Sequence, residues 1–247
     1  MRGVVALFVI LSLAACSATG NREIYMEPVS VQTLEYYPFQ VKGYQNTYPK
    51  RVIVVAAVTD ARDFKDVSGV SHEPEGGRPA IGVIRDESGK IDQRLYGPAL
   101  EPLFQNAIAQ AAREAGMMAA VTPLASKQAL AARNADYIVE AKITRCWVNK
   151  HRGPDNQAGP TWFAAADVTL DAAVYKPPFA VPFWQGQSSA TYDDPQLAPA
   201  GSAPEDQTEL YDQPGQVLSV ALTRAVAGIF KRDNLRTLIV QDSQPAH

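Results

Sequence analysis

Two stretches of this chain leave little freedom about what it can fold into. "ADYIVEAKITRCWVNK" (135–150) and "WFAAADVTLDAAVYK" (162–176) alternate apolar and polar residues along most of their length. In the first, Tyr137, Val139, Ala141 and Ile143 share one side, and Glu140, Lys142 and Thr144 the other. In the second, Ala164, Ala166, Val168, Leu170, Ala172 and Val174 oppose Asp167, Thr169 and Asp171. A side-chain period of two belongs to a strand with one buried face. The polar, Gly/Pro-containing connection at 151–161 joins the two runs, and "FWQGQSSATY" (183–192) reads as a third strand. Half-buried strands need a cover over their apolar side, and helices supply it.

The remaining elements fit that demand. "RVIVVAAVT" (51–59) is apolar on both parities, as in a central strand or one covered on both faces. "DARD" (60–63) ends it, and 64–79 is loop. "IGVIRDESGKIDQRLY" (81–96) reads as a hairpin turning at Asp86-Glu87-Ser88-Gly89. Pro98 suits the first turn of a helix whose stripe is Leu100, Leu103, Phe104, Ala107, Ile108, Ala111 and Ala112, ended by Gly116. If that stripe is core, Leu103→Ala costs roughly 2–5 kcal/mol. A shorter helix opens at Thr122-Pro123 and runs to about Arg133. After a Pro- and acid-rich loop at 193–213, "QVLSVALTRAVAGIFKR" (216–232) is an amphipathic helix with Leu218, Ala221, Leu222, Ala225 and Ile229 as its stripe. "LRTLIV" (235–240) adds a short strand or tucks back. The expected fold is α+β: a two-layer sandwich of a mostly antiparallel sheet with helices on one face.

The N-terminus carries a second signal. Arg2 precedes an apolar run from Val4 to Leu13, too short for a membrane span of roughly 20 residues. It closes on Leu13-Ala14-Ala15-Cys16, which resembles the lipobox of bacterial lipoproteins. That resemblance implies loss of residues 1–15 and acylation of Cys16. Two or more acyl chains, at ~0.8 kcal/mol per buried CH₂, then hold the protein to a leaflet without a transmembrane helix. Ser17 after the cysteine implies the outer membrane under the enterobacterial sorting rule that comes with the resemblance. Residues 16–50 form the lipidated N-terminus and tether. Ile24, Tyr25, Tyr36, Tyr37, Phe39, Tyr44 and Tyr48 make it too aromatic for a merely flexible linker, so its second half docks on its own domain or on a partner.

Composition narrows the chemistry. A formal net charge of −3 with scattered charges offers no footprint for nucleic acid. Cys146 is the only thiol besides Cys16, so there is neither a disulfide framework nor a CxxC zinc signature. His72, His151 and His247 lie far apart, and no metal site or cofactor is expected. Asp60, Arg62 and Asp63 sit at a strand end, where binding groups collect, or else form an ion pair tying strand to loop. Asp167 and Asp171 face Glu140 and Lys142 across the hairpin, which cross-strand pairing explains. Cys146 shares the parity of the polar face, with His151 beyond it. It is either a reactive thiol or a small semi-buried residue. No catalytic residue is assigned. Tyr36, Tyr37, Phe39, Tyr44 and Trp162 are the candidates for contact with a partner.

Taken in order, the strand ending in Asp60 and Arg62, the Ile81-Gly82 hairpin, "LxxLxxxAxxxAxxxxG" from Leu100 to Gly116, "ADYIVEAKI", the long hairpin and the "WQGQSSATY" strand resemble the YajG family of bacterial lipoproteins. More loosely they are similar to auxiliary lipoproteins of lipid-trafficking ABC systems. The likeness spans about residues 50–232. It implies a periplasm-facing, outer-membrane-anchored lipoprotein with a non-enzymatic binding or scaffolding role. Its partners would be the membrane through Cys16 and an envelope protein or a second copy. The looser likeness implies instead an accessory to a lipid- or solute-trafficking ABC transporter. The domain map expected is a signal peptide at 1–15, the tether at 16–50, the α+β domain at 51–240 and a polar tail at 241–247.

Overall fold

The computed structural model describes residues 29–30, 34–37, 43–65, 74, 76–122, 134–153, 162–194 and 207–243. Eight strands and three helices lie within them: β1 (Val29–Ser30), β2 (Val52–Asp60), β3 (Ala80–Arg85), β4 (Ile91–Tyr96), α1 (Leu100–Glu114), β5 (Met118–Val121), β6 (Tyr137–Arg152), β7 (Trp162–Tyr175), β8 (Pro182–Asp194), α2 (Gln207–Phe230) and α3 (Asp233–Asp242). The helix expected at 122–133 falls outside the described residues, apart from Thr122.

β6 is the spine of a forked sheet. β7 runs antiparallel along its whole length, and β8 runs antiparallel to β7. On its other side β6 has two neighbours in succession. Its first half pairs with β2, Ile53 opposite Tyr137, and its second half with β3, Gly82 opposite Val148. Both pairings are parallel. β5 extends the first branch in parallel with β2. β4 extends the second, antiparallel to β3, and β1 closes it in parallel with β4. The α+β class and the helix-covered face stand, but the sheet is mixed and not mostly antiparallel. Alternation reports which face is buried and carries no information about the direction of the neighbour. A parallel neighbour needs a long crossover, and α1 provides it between β2 and β5.

The helices cover one face. Ile53 and Val55 of β2, Tyr137, Val139, Ala141 and Ile143 of β6, and Ala164 to Val174 of β7 at alternate positions join the buried stripes of α1, α2 and α3 in one core. Val54, Ala56 and Ile138 bury on the opposite face beneath Phe179, so β2 is covered on both sides, as its unbroken apolar run requires. The α2 stripe is fully buried at Leu218, Ala221, Leu222, Ala225 and Ile229. Phe104 is buried to the same degree, whereas Leu103 is only partly buried at the margin of its stripe.

Two local expectations change, and one strand, β5, is added. The segment 193–213 is not loop throughout, because β8 reaches Asp194 and α2 begins at Gln207 and runs through Pro214. Pro214 and Gly215 made a later start look natural. "LRTLIV" lies within helix α3 and forms no strand. β5 follows Gly116 directly; Gly116 has φ +108°, and a Cβ there would sit 2.8 Å from the Tyr48 carbonyl oxygen. The positive φ and the close approach together require glycine.

The arm before β2 docks on its own domain. Glu35 N–H donates to Ser219 Oγ (2.9 Å) and Tyr37 N–H to Thr223 Oγ1 (2.8 Å), both on α2. Two residues of extended chain advance ~6.7 Å and four residues of helix ~6 Å, so an i, i+2 strap matches i, i+4 hydroxyls. Further on, Asn46 and Tyr48 N–H groups donate to the Glu114 and Ala115 carbonyls, satisfying acceptors that the end of α1 leaves open. Tyr44 and Tyr48 bury in the core. Chain before residue 50 therefore belongs to the packed unit: Val29 and Ser30 pair in the sheet, and Leu34 is buried in the core.

Candidate functional site

The sheet face away from the helices holds a groove of about 700 Å³. Ala57 and Thr59 of β2, Glu140 and Lys142 of β6, Asp171, Ala173 and Tyr175 of β7, and Gln185 and Gly186 of β8 line it. It exists because the residues at its floor are small. Ala57 and Ala173 are the small residues on this face. Gly186 lines the groove through its backbone, because it stands opposite core-facing Ala172 and a Cβ on it would point to the helix side, 2.7 Å from the Trp184 indole. The rim is polar. Lys142 stands directly opposite Asp171 in the β6–β7 register. Gln187 Nε2–H donates to Asp171 Oδ1 at 3.0 Å. Farther along the same face Arg145 binds Asp167 through its Nε. Cross-strand charge pairing is present, with Lys142 opposite Asp171 as expected, but Glu140 stands opposite Ala173 and Asp167 pairs with Arg145 instead. Carboxylates, an ammonium, an amide and a tyrosine around a shallow floor can hold a polar ligand or a polar segment of another chain.

Asp60 and Arg62 are structural. Arg62 Nε and Nη2 donate to the two Asp60 oxygens at 2.8 and 2.7 Å. Its Nη1 donates to the carbonyls of Ala80 and Cys146, each at 2.9 Å. One buried guanidinium thus ties the end of β2 to β3 and β6 at the fork of the sheet. Asp63 is exposed and accepts the Lys65 N–H.

Cys146 is not on the polar face. Ile143 pairs with Leu170 and Arg145 with Thr169, so Thr144 is an extra residue in β6. This bulge reverses the alternation and turns Cys146, Val148 and Lys150 toward the helices. Cys146 is 1 % exposed. Burial raises its thiol to about 12 even though the nearby Arg62 cation opposes the shift. His151 is exposed on the other side of the strand, stacked on Phe163 at 5.2 Å, and forms no base for that thiol. The same bulge buries Lys150 completely, its Nζ 5.1 Å from the centre of the Trp162 ring.

The arm's aromatics divide. Tyr44 is buried and donates to Glu114 Oε2 at 2.5 Å, while its hydroxyl also meets that of Tyr36. Burial is the largest push on both phenols, which lie well above their ordinary range; the Tyr44 and Glu114 bonds add to it at Tyr36, whereas at Tyr44 the Glu114 bond adds and the Tyr36 bond opposes. Tyr37 and Trp162 are half-buried, and Phe39 lies outside the described residues, as does Cys16. Among the described residues no group of three or more His, Cys, Asp and Glu is placed to hold a metal. Tyr175 and Gln185 of the groove were not singled out from the sequence. The signal was there in Ala173, a small residue interrupting the polar face of β7 next to Asp171.

No family model and no curated protein matches the chain. Solved structures of bacterial proteins do. The Xanthomonas campestris protein XCC0632, of the family DUF330, is similar at 15 % identity over 87 % of this chain and 99 % of that one, with a TM-score of 0.45. PelC of Paraburkholderia phytofirmans, a dodecamer, is similar at 11 % over 76 % and 95 %, with a TM-score of 0.35. The hypothetical protein CT253 of Chlamydia trachomatis is similar at 11 % over 78 % and 99 %, with a TM-score of 0.41. Likeness at this level assigns neither family nor function.

Proposed function

We propose that the chain is an envelope lipoprotein of the YajG-like kind, held in the outer membrane by an acylated Cys16, and that it works by binding and not by catalysis. The apolar run closing on Leu13-Ala14-Ala15-Cys16 supports the anchor. The observation that carries the binding role is the asymmetry of the sheet: one face is sealed by helices, the other bears a polar-rimmed groove. The groove's charged rim of Glu140, Lys142 and Asp171 is unsuited to an acyl chain, which argues against the transport-accessory reading. The partner is then an envelope protein or a second copy, seated on the open face.

The test is copurification from detergent-solubilised membranes, comparing the native chain with a Lys142→Ala/Asp171→Ala variant. A protein recovered with the native chain and lost with the variant, at unchanged folding, is the expected result. Recovery indifferent to the double change would place binding elsewhere. A turnover activity abolished by changing Glu140 or Asp171 would overturn the non-enzymatic reading.

A further inference from the structure

The registers of the sheet fix the direction in which the chain enters β1 at Val29. Val29 lies opposite Leu95, Leu95 opposite Gly82, and Gly82 opposite Val148. Val29 is therefore level with Val148 of β6. β1 runs parallel to β4, which starts at Ile91 beside Arg85, itself opposite His151. The backbone therefore enters β1 at Val29 running from the end of the sheet where β6 finishes. That end carries the β3–β4 turn (86–89), Lys90 and His151.

The opposite end, where β6 begins, has a different surface. Val181 stands next to Pro182, which pairs with Tyr175. Met118 is opposite Val52, whose neighbour Ile53 pairs with Tyr137. Val240 is two residues from Asp242, which accepts from both Tyr137 and Lys176. These are the large exposed apolar side chains among the described residues: Val181 at 73 %, Met118 at 54 % and Val240 at 39 %.

Reach decides which end a bilayer meets. Cys16 and Val29 are thirteen positions apart in the sequence, and such a segment spans at most ~45 Å. At ~3.3 Å per residue, Val148 is about 13 Å from the finish of β6 and about 36 Å from its start. The near end is reached with slack and without a turn. The far end requires a reversal at Val29 and about four fifths of the maximum reach.

We infer that the end formed by the β3–β4 turn, Lys90 and His151 faces the lipid surface, and that the apolar end bearing Met118, Val181 and Val240 points away from it. This rests on the acylated Cys16 of the reading above. The apolar end is then no membrane-insertion patch.

The experiment uses the full acylated chain, purified from membranes and reconstituted into phosphatidylethanolamine/phosphatidylglycerol vesicles containing nitroxide-headgroup lipid. Lys90→Cys and Val181→Cys are labelled separately with a fluorophore; buried Cys146 does not compete. Quenching several-fold stronger at position 90 than at 181 is expected. Equal quenching, or stronger quenching at 181, overturns the orientation, and in the latter case shows the apolar end in the bilayer. Intact mass on the same samples separates the two failures. Acylated protein with the wrong quenching sinks only the orientation, whereas an unmodified Cys16 sinks both.

Discussion

Lys150 shows how one inserted residue upstream decides the chemistry of another. Because Thr144 bulges out of β6, the strand's alternation reverses and a lysine ends in the core. Burial lowers its ammonium from an ordinary 10.5 to about 8. Between those values the unfolded chain holds the proton and the folded chain does not, so this residue makes stability rise with pH across that window. Below pH 8 the folded state bears the whole desolvation penalty. Cys146 acts oppositely: its thiol, raised to about 12 by burial, makes stability fall from its ordinary 9 upward. The difference between Lys150→Met and the native chain isolates the lysine. The methionine variant should be more stable at pH 7 by on the order of 1–3 kcal/mol, with the gap closing toward pH 10.5. Urea titrations at a series of pH values check this, and a gap constant with pH would show that desolvation of the charge is not its source.

At the scale of elements, α1 tests the stripe read from the sequence. Phe104 is fully buried, and Phe104→Ala should cost about 3–5 kcal/mol. Leu103, at the edge of the stripe, should cost only about 1–2 kcal/mol, below what the sequence pattern implied. Denaturation midpoints of the two variants check the ranking; equal costs would mean that α1 is rotated on the sheet. The helical stripes, the β3–β4 hairpin and the face of β7 were all legible because each is written in local periodicity. The parity of Cys146 was not, because a bulge leaves no composition signal when a threonine carries it. Strand direction was not legible either, being set by what the chain does between strands. The groove was half legible: its charged pair stood out at Lys142 and Asp171, while its floor is set by the small side chains of Ala57 and Ala173. Edges are managed locally too. Arg113 Nε donates to the Ala119 carbonyl on β5 and Arg232 Nη2 to the Gln187 carbonyl on β8, while β1 occupies the rim of β4.

For the whole molecule, the strap over α2 is the contact that joins beginning to end. Ser219→Ala with Thr223→Ala removes both acceptors and leaves the Glu35 and Tyr37 N–H groups unpaired, at about 1–3 kcal/mol each. Hydrogen exchange across 34–50 should quicken markedly in that variant while β6 and β7 keep their protection. Uniform loss of protection would mean that the strap and the sheet open as one unit. The strap's bonds to α2 span 184 and 186 residues of sequence. Closing a loop of that length is a late event in folding, because its entropy must be met before the contact returns anything. This early-made segment therefore waits for α2, which is made late. A chain stopped anywhere short of Ser219 would hold this segment only by its ties to α1 and lack both hydroxyl acceptors of the strap, so closure of the strap reports that α2 has been made.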